Sequence, residues 1–575
     1  MDGKEIKETS VWVLYNKSVD YAKKHGVYEE VDRNNKFYNG NQWDGLIVEG
    51  IEPVVYNFIK PIVNYKTSKL TQNLRAINYN ATNVENSEFR SEAKKICDLL
   101  TQRASRVWES NQMDKMVKKL IKQAAINGES VVYVSYNETD SNPEIEILNK
   151  VDVYYGNEND SDIQNQPYIL VKQRMSVLQA KEVAEYYGVK KKNLEYIIGD
   201  DDNIEEAGEE AKDEVDNMVT IVTKFYKSGG RVKFSKATKY VDIKKDADMQ
   251  TTLYPIAHML WEEKEGSARG ESEVSGLIAN QIETNKTAMR RLLTAKNTAY
   301  PQKIYNRDKV DNPEMIDVVG GVIEAKGMDV DDVNKVFAVT KPAQMSPDVE
   351  KLQTELISTT RELANASETA TGQVNPENAS GRAILAVQQA SSQPLSDQDT
   401  SINTVLEDVA RIWLDMWKTF NDEGMQLEDI QTNPMTGEEE LRIISVPASA
   451  LEQLKTTVKI DITPKGAYDK YAQEISLENL AKSEQFMNTA WLEDYVSLLD
   501  VDAVMPKLKI EDLIKRRKEA QKRIRAVQQQ AQAMQMQVDN LMNSGEILPR
   551  EMEQYMGANG EPNVEEPMPE ELPAY

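Results

Sequence analysis

The stretch GESEVSGLIANQIETNKTAMRRLLTAKNTAY, Gly270 to Tyr300, decides how the rest of the chain is read. Val274, Leu277, Ile278, Ile282, Met289, Leu292 and Leu293 recur at three- and four-residue steps, which predicts one long helix with a single apolar face. Pro301 stops it, because proline carries no backbone N–H and its ring clashes with the preceding turn. Downstream, residues 301–345 are short apolar runs broken by Gly-Gly and Asn-Pro, a small α/β insert. SPDVEKLQTELISTTRELANAS then opens a second long helix, with Ser346 as cap and Pro347 at its first position. Val349, Leu352, Leu356 and Leu363 give that helix its apolar steps. Next comes ETATGQVNPENASGRAILAVQQA, Glu368 to Ala390, a polar loop leading into a helix from about Ser380 that carries Ala383, Ile384 and Val387. Pro394 should kink that helix before it resumes as TSINTVLEDVARIWLDMWKTF. A strand group, EELRIISVPASALEQLKTTVKIDITPKG, precedes a helical C-terminal region.

Upstream, residues 1–35 and 83–127 have helical periodicity, and Gly128 is placed to end the second run. ESVVYVSYN, EIEILN and QPYILVKQRM have the β-branched and aromatic content of strands, and VLQAKEVAEYYG that of a short helix. MVTIVTKFYKSGGRVKFSKATKYVDI alternates around Ser-Gly-Gly, a hairpin signal. Between these lies DDDNIEEAGEEAKDEVD, residues 200–216, whose acids lack the order of a calcium loop and read as a solvated insertion. Near the C-terminus, EDLIKRRKEAQKRIRAVQQQAQAMQMQVDNLMNSG is basic, then Gln- and Met-rich. Its basic face could bind DNA or be a solvated helix packed on neighbours. Residues 546–575 are rich in Pro and Glu with few apolar anchors, a composition of disorder.

At 575 residues the chain exceeds what one core supports, so two to four structural units are expected. A hydrophobic content of 40% with 7% aromatics suits an elongated assembly subunit better than one compact enzyme core. The formal charge of −26 leaves no overall basic footprint for nucleic acid, whose affinity comes mostly from neutralised phosphates. Cys97 is the sole cysteine, which excludes an intrachain disulfide and a multi-thiolate metal site. No secretory h-region opens the sequence, and no run approaches the roughly 18 to 20 apolar residues of a membrane span. An intracellular protein, or a part of a particle assembled there, is expected.

Catalysis finds little to work with. Only His25 and His258 could serve as imidazole acid or base, and there is no nucleophile elbow, G-x-x-x-x-G-K-[ST] loop or H-E-x-x-H helix. PDVEK, Pro347 to Lys351, has the carboxylates and lysine of a metal-dependent nuclease, but these residues are favoured at any helix start. GSARGES, Gly266 to Ser272, could hold an anion at a helix N-terminus, yet it reads more simply as a loop feeding a helix. No catalytic residue, cofactor or metal is assigned.

Several local motifs resemble those of the portal proteins of tailed bacteriophages. FYNGNQW (Phe37 to Trp43), followed by PVVYNFIKPIVNYKTSKL, is similar to the family's N-terminal pattern. AINGESVVYV (Ala125 to Val134) resembles the turn into its first wing strand, and RGESEVSGLIANQIETNKT the entry to its first stem helix. ASGRAILAVQQASSQPLS resembles the helix after its tunnel loop. The resemblance spans about residues 37 to 400 and matches the C-terminal part only in helical character.

The resemblance implies a mixed α+β, mainly α, fold: wing, two-helix stem, small α/β clip and helical crown, repeated in a ring of about twelve copies. Residues 1–269 become the N-terminal wing region, 270–299 and 346–366 the stem helices, and 300–345 the clip between them. Residues 367–379 become the tunnel loop, 380–466 the kinked helix and wing strands, 467–545 the crown, and 546–575 a disordered tail. The implied partners are double-stranded DNA, the terminase large subunit, a head-to-tail connector, and the major capsid and scaffolding proteins. The implied place is the capsid vertex of the virion, after assembly in the host cytoplasm and without a membrane.

Site residues follow the same correspondence. Gly372, Gln373, Val374, Asn375, Pro376, Glu377 and Asn378 would meet passing DNA. Their amides make weak, sequence-blind hydrogen bonds and Glu377 repels phosphate, as suits a conduit that must not trap its cargo. Lys286, Arg290, Arg291 and Lys296 either line the channel or form ion pairs between subunits. Lys303, Tyr305, Arg307 and Lys309 would meet terminase or connector. Two other readings stay open: a ring-forming or scaffold-like virion protein without DNA contact, and a metal-dependent nuclease using the acidic clusters.

Overall fold

The computed structural model describes residues 7–43, 53–82, 87–200, 217–299, 303–318, 320–326, 337–339, 346–366, 393–421, 424–432 and 439–463. The chain divides into two compact units, Met1–Pro464 and Lys465–Tyr575, and all the described residues belong to the first. Among the described residues the fold is mixed α and β, with long helices and five sheets of two to five strands.

Two short helices, α1 (Ser10–Lys24) and α2 (Val27–Asn39), open the unit, followed by α3 (Ile59–Leu70) and β1 (Leu74–Ala81). Residues 83–127, expected as one helical run, form α4 (Ser87–Ser110) and α5 (Met113–Asn127). The break has a side-chain cause. Asn111 Nδ2 donates to the Pro143 carbonyl at 2.9 Å and its Oδ1 accepts from Ile145 N at 3.1 Å, while Gln112 takes φ +50°. The backbone turns there because the asparagine amide supplies the pairing that Pro143–Ile145 would otherwise lack.

Gly128, at φ +88°, ends α5 and starts β2 (Glu129–Asn137), which pairs with β3 (Asn142–Leu148). A five-stranded antiparallel sheet follows: β4 (Val153–Tyr155), β5 (Ile169–Ser176), β6 (Met218–Ser228), β7 (Arg231–Ala237) and β8 (Asp242–Asp248). Helices α6 (Val177–Tyr186) and α7 (Lys191–Leu194) intervene between β5 and β6. The β6–β7 turn is the Ser-Gly-Gly of the sequence; Gly229 and Gly230 both take positive φ, as the tight primed hairpin turn requires. Strand β9 (Ile256–Leu260) returns to lie beside β2, giving the order β3-β2-β9.

From there α8 (Glu273–Ala299) leads to β10 (Lys303–Tyr305), which pairs with β11 (Phe337–Val339), and α9 (Pro347–Leu363) returns alongside α8. Ser346 caps α9 by accepting from Asp348 N, and Pro347 takes its first position. A 3-10 turn over Gln393–Leu395, holding Pro394, precedes α10 (Ser396–Phe420). The expected strand group is β12 (Met425–Thr432), β13 (Glu439–Val446) and β14 (Thr456–Thr463), with a short helix α11 (Ala448–Gln453) after Pro447 that the sequence pattern hides. Strand β14, near the end of the unit in sequence, pairs antiparallel with β1 near its start, Ile77 opposite Ile460.

The main core lies where α3, α4, α5, α8 and α10 meet β2, β9 and β1, with Trp413 and Trp417 of α10 fully buried. Sites 201–216, 367–392, 464–575 and Pro301 lie outside the described residues, and with them fall the acidic insertion, the tunnel loop, the helix before Pro394, the crown and the tail.

Candidate functional site

Three of the four motifs that carried the resemblance converge on the first half of α8. Gln281, completely buried, uses its amide as a strand would use its backbone. Its Oε1 accepts from Phe58 N at 3.1 Å and its Nε2 donates to the Tyr56 carbonyl at 2.8 Å. Asn285, one turn on, accepts from Tyr56 N at 3.1 Å and donates to Gln42 Oε1. Trp43 Nε1 donates to the Val54 carbonyl at 2.9 Å, and Asn57 Nδ2 reaches the Tyr38 carbonyl at 3.0 Å. Thus the aromatic-Gly-x-Gln-Trp element and the extended segment after it are bound to α8 by polar side chains from both partners. Replacing Gln281 by leucine leaves the Phe58 N–H buried without an acceptor, a loss of about 1–3 kcal/mol. Hydrogen exchange should quicken at residues 56–58 while the α8 amides stay protected.

The other convergence is between AINGES and RGES. The two segments cross at their glycines: a Cβ on Gly128 would lie 2.3 Å from the Gly270 carbonyl oxygen, and one on Gly270 2.4 Å from that of Gly128. Beside the crossing, Arg269 is buried with all five N–H donors used. Nε and Nη2 hold the two oxygens of Glu158 at 2.9 and 3.1 Å. Nη1 reaches Glu129 at 2.7 Å and the Lys150 carbonyl at 3.2 Å, and Nη2 also reaches the Val153 carbonyl at 3.1 Å. The guanidinium also lies over the Tyr155 ring, 5.1 Å from its centroid. Burial raises the Glu129 carboxyl above its ordinary value, opposed by Arg269 and Lys150. Burial would lower the guanidinium, but Glu129 and Glu158 outweigh it and hold the charge in place. GSARGES is therefore a structural loop: Ser272 Oγ caps α8 by accepting from Ser275 N at 2.9 Å and accepts from Asn34 at 2.9 Å.

Beyond this anchorage α8 leaves the core. Its last buried residue is Met289. Leu292 and Leu293, expected on the apolar face, are exposed, because past Met289 the helix has α9 beside it and no core layer. The α8–α9 contact is itself largely polar: Asn280 donates to Thr360 at 3.0 Å and Arg291 to Gln353 at 2.6 Å, an antiparallel pairing. Gln353 and Thr360 are buried, Val349 and Leu356 are half-buried, and Leu352 and Leu363 are exposed, so only half of the apolar stripe read from the sequence is covered.

Of the basic residues expected in the channel, Arg290, Arg291 and Lys296 fall on this part, and Lys286 lies just before it, next to Asn285. Lys286 and Arg290 are exposed and ion-paired with Glu283 of the same helix at 3.7 and 3.1 Å. Arg291 reaches across to α9, and Lys296 is exposed near the helix end. Of the residues expected from the sequence to dock a partner, Lys303 is held by the Ile316 carbonyl and by Asp317 at 3.2 Å. Tyr305, Arg307 and Lys309 are exposed beside the β10–β11 pair. Gly372, Gln373, Val374, Asn375, Pro376, Glu377 and Asn378 lie outside the described residues.

Where α8, α10, the end of α9 and β9 meet, a cleft of about 1310 Å³ opens, bordered by Asp162, Glu262, Glu263, Glu271, Asp397 and Asp408 among others. His258 lines it, and burial pushes its imidazole down to about 4. The folded protein therefore keeps His258 neutral where the unfolded chain, at about 6.5, takes up a proton. Its stabilising effect is complete above about pH 6.5 and is lost as pH falls towards 4, up to ~3 kcal/mol in all. A His258→Phe variant should show a flatter decline in denaturant midpoint over that window than the wild type. His25, by contrast, stacks on Tyr21 at the exposed end of α1. Burial raises the Cys97 thiol to about 11. Among the described residues no group of three or more His, Cys, Asp or Glu is arranged to hold a metal, and no helix is long and apolar enough to cross a membrane.

Sequence reasoning did not single out Arg269, Glu129 or Lys150. A charged residue announces burial only through its partners, and these lie more than 100 positions apart. Comparison with known proteins gives one family: a model described as phage P22-like portal protein matches residues 18–182 and 157–555, together 18–555 of the 575. No curated protein matches the chain significantly.

Proposed function

The chain belongs to the P22-like phage portal protein family, and on that premise we propose that it closes into a ring of about twelve copies at one capsid vertex. The family is one of structural, virion-borne head-to-tail connectors, and its members act in genome packaging. In the finer reading, the hole of the ring is the channel for double-stranded DNA during packaging and ejection. Chemical work then falls to the terminase large subunit, docked on the β10–β11 end through Lys303, Tyr305, Arg307 and Lys309. The head-to-tail connector takes the same end once packaging is complete, and the major capsid and scaffolding proteins surround the ring as it assembles in the host cytoplasm.

The observation that carries this reading is the family match running through both α8 and α9. Its structural support is the way α8 is anchored by Gln281, Asn285 and the Gly128–Gly270 crossing, then projects beyond the core with α9. A helix pair fixed at one end and carrying a small strand pair at the other suits a stem and its clip. Residues 372–378 then form the tunnel loop, whose Gln and Asn amides touch DNA weakly.

Negative-stain electron microscopy with native mass tests the ring: closed particles of about twelve copies with a hole wide enough for duplex DNA are expected, and monomer or dimer at every salt concentration sinks the reading. Cross-linking from residues 372–378 in packaged particles tests the channel. DNA adducts support it; a ring that packages normally without adducts at those positions points to a virion protein whose loop does not touch the genome.

A further inference from the structure

Helix α5 carries Lys115, Lys118, Lys119 and Lys122 at steps of three, four and seven, all exposed on one face. Its opposite face, Val117, Leu120, Ile121 and Ala124, is sealed into the core. Among the described residues none of the four ammoniums has a carboxylate within ion-pair distance; Lys122 lies over the Tyr38 ring, which Lys60 also approaches. In a chain of net charge −26 such a face is unusual.

The complementary surface is on the same chain. Around the cleft, Asp162, Glu262, Glu263, Glu271 and Asp397 likewise have no ion-pair partner among the described residues. The two cations there are already engaged: Lys66 with Glu273 at 2.7 Å, Arg411 with Glu407 and Asp408. Glu262 and Glu271 are bridged backbone to backbone, which sets two like charges opposite each other, an arrangement that costs stability unless a cation intervenes. The two surfaces sit on different sides of α8. Gly276, Leu277 and Asn280 line the cleft, whereas the side that binds residues 54–58 and faces α3 and α5 carries Gln281 and Asn285.

We propose that the lysine face of α5 docks on the carboxylates of the cleft rim in a second copy of this chain. The occupant is a second copy because one molecule presents both charges on separate faces, the condition for a head-to-tail contact that repeats and closes. The inference rests on the ring reading above. It adds which surfaces meet, and it makes ring closure salt-dependent, since these are solvent-facing charges that salt screens over about 8–10 Å.

A charge-swap experiment decides it. One full-length variant carries Lys115→Glu, Lys118→Glu, Lys119→Glu and Lys122→Glu; the other carries Asp162→Lys, Glu262→Lys, Glu263→Lys, Glu271→Lys and Asp397→Lys. Circular dichroism and thermal melting first establish that both fold like the wild type, and single-site reversals replace any variant that does not. Each alone should lose about tenfold or more of its closed rings by native mass, because like charges now face each other. Mixed in equal amounts they should regain rings, with the two variants alternating and an even subunit number. Rings of normal mass from either variant alone overturn the proposal and leave the ring reading intact. Folded variants that lose rings and are not rescued by mixing also overturn it, as does a lysine variant with intact rings that fails only to retain DNA. Wild-type protein that forms no ring under any condition refutes the ring reading itself.

Discussion

Alanine at Gly128 is expected to destabilise the first unit by about 3–5 kcal/mol, the sum of a backbone clash and left-handed strain. The new Cβ would stand 2.3 Å from the Gly270 carbonyl oxygen and 3.1 Å from the Glu271 carbonyl carbon, both main-chain atoms that cannot rotate away. The residue also takes φ +88°, which an L side chain rarely adopts. Gly229→Ala is the control, since it has φ +65° but nothing within 4 Å of the added carbon. It should cost only the strain, about 1–2 kcal/mol. Denaturant unfolding of the two variants separates the terms. Equal losses would mean that the two strands part easily and that the crossing does not hold α8 in place.

Arg269→Met is the second large effect. Methionine fills much of the space but leaves Glu129, with no exposed surface, and Glu158 without their cation, and it strands the Lys150 and Val153 carbonyls. Breaking a buried pair from one side costs about 3–5 kcal/mol, because the remaining charge keeps its desolvation penalty. Adding Glu129→Gln to Arg269→Met should therefore recover part of the loss, whereas Glu129→Gln alone should destabilise. Arg269→Lys is expected to fall close to methionine: an ammonium cannot span two carboxylates and two carbonyls in one plane. Thermal melts of the four variants give the comparison, and additive losses would show that the two side chains do not act as a pair.

Much of the local architecture was legible because local rules produce it. Ser346 and Pro347 start α9 by cap chemistry, Gly128 ends α5 by its backbone freedom, and Ser-Gly-Gly makes a hairpin by turn geometry. The α4–α5 break was not legible, since Asn111 becomes a turn only when the backbone of Pro143–Ile145 is there to receive its amide. Nor was α11, six residues of good helix formers that are too short to show a helical period between two β-branched strand runs. Of the residues expected to act, Lys286, Arg290, Arg291 and Lys296 lie along the second half of α8, Lys303, Tyr305, Arg307 and Lys309 lie in or beside β10, and residues 372–378 are outside the described residues.

The sequence by itself determined most of the long helices and the Ser-Gly-Gly hairpin, the exclusion of the common catalytic motifs, and the order of segments that resembles a portal subunit. Each of these depends on residues within a few turns of one another, or on the mere presence of a residue type. Only the tertiary structure decided that β1 pairs with β14, that Gln281 completes the backbone of Tyr56 and Phe58, and that Gly128 faces Gly270. It also decided that α8 and α9 meet through Asn280, Arg291, Gln353 and Thr360 while Leu292, Leu293, Leu352 and Leu363 are exposed. Periodicity marks which residues share a face of a helix. Which face is covered depends on what the rest of the chain brings against it, and those partners lie from tens to hundreds of positions away.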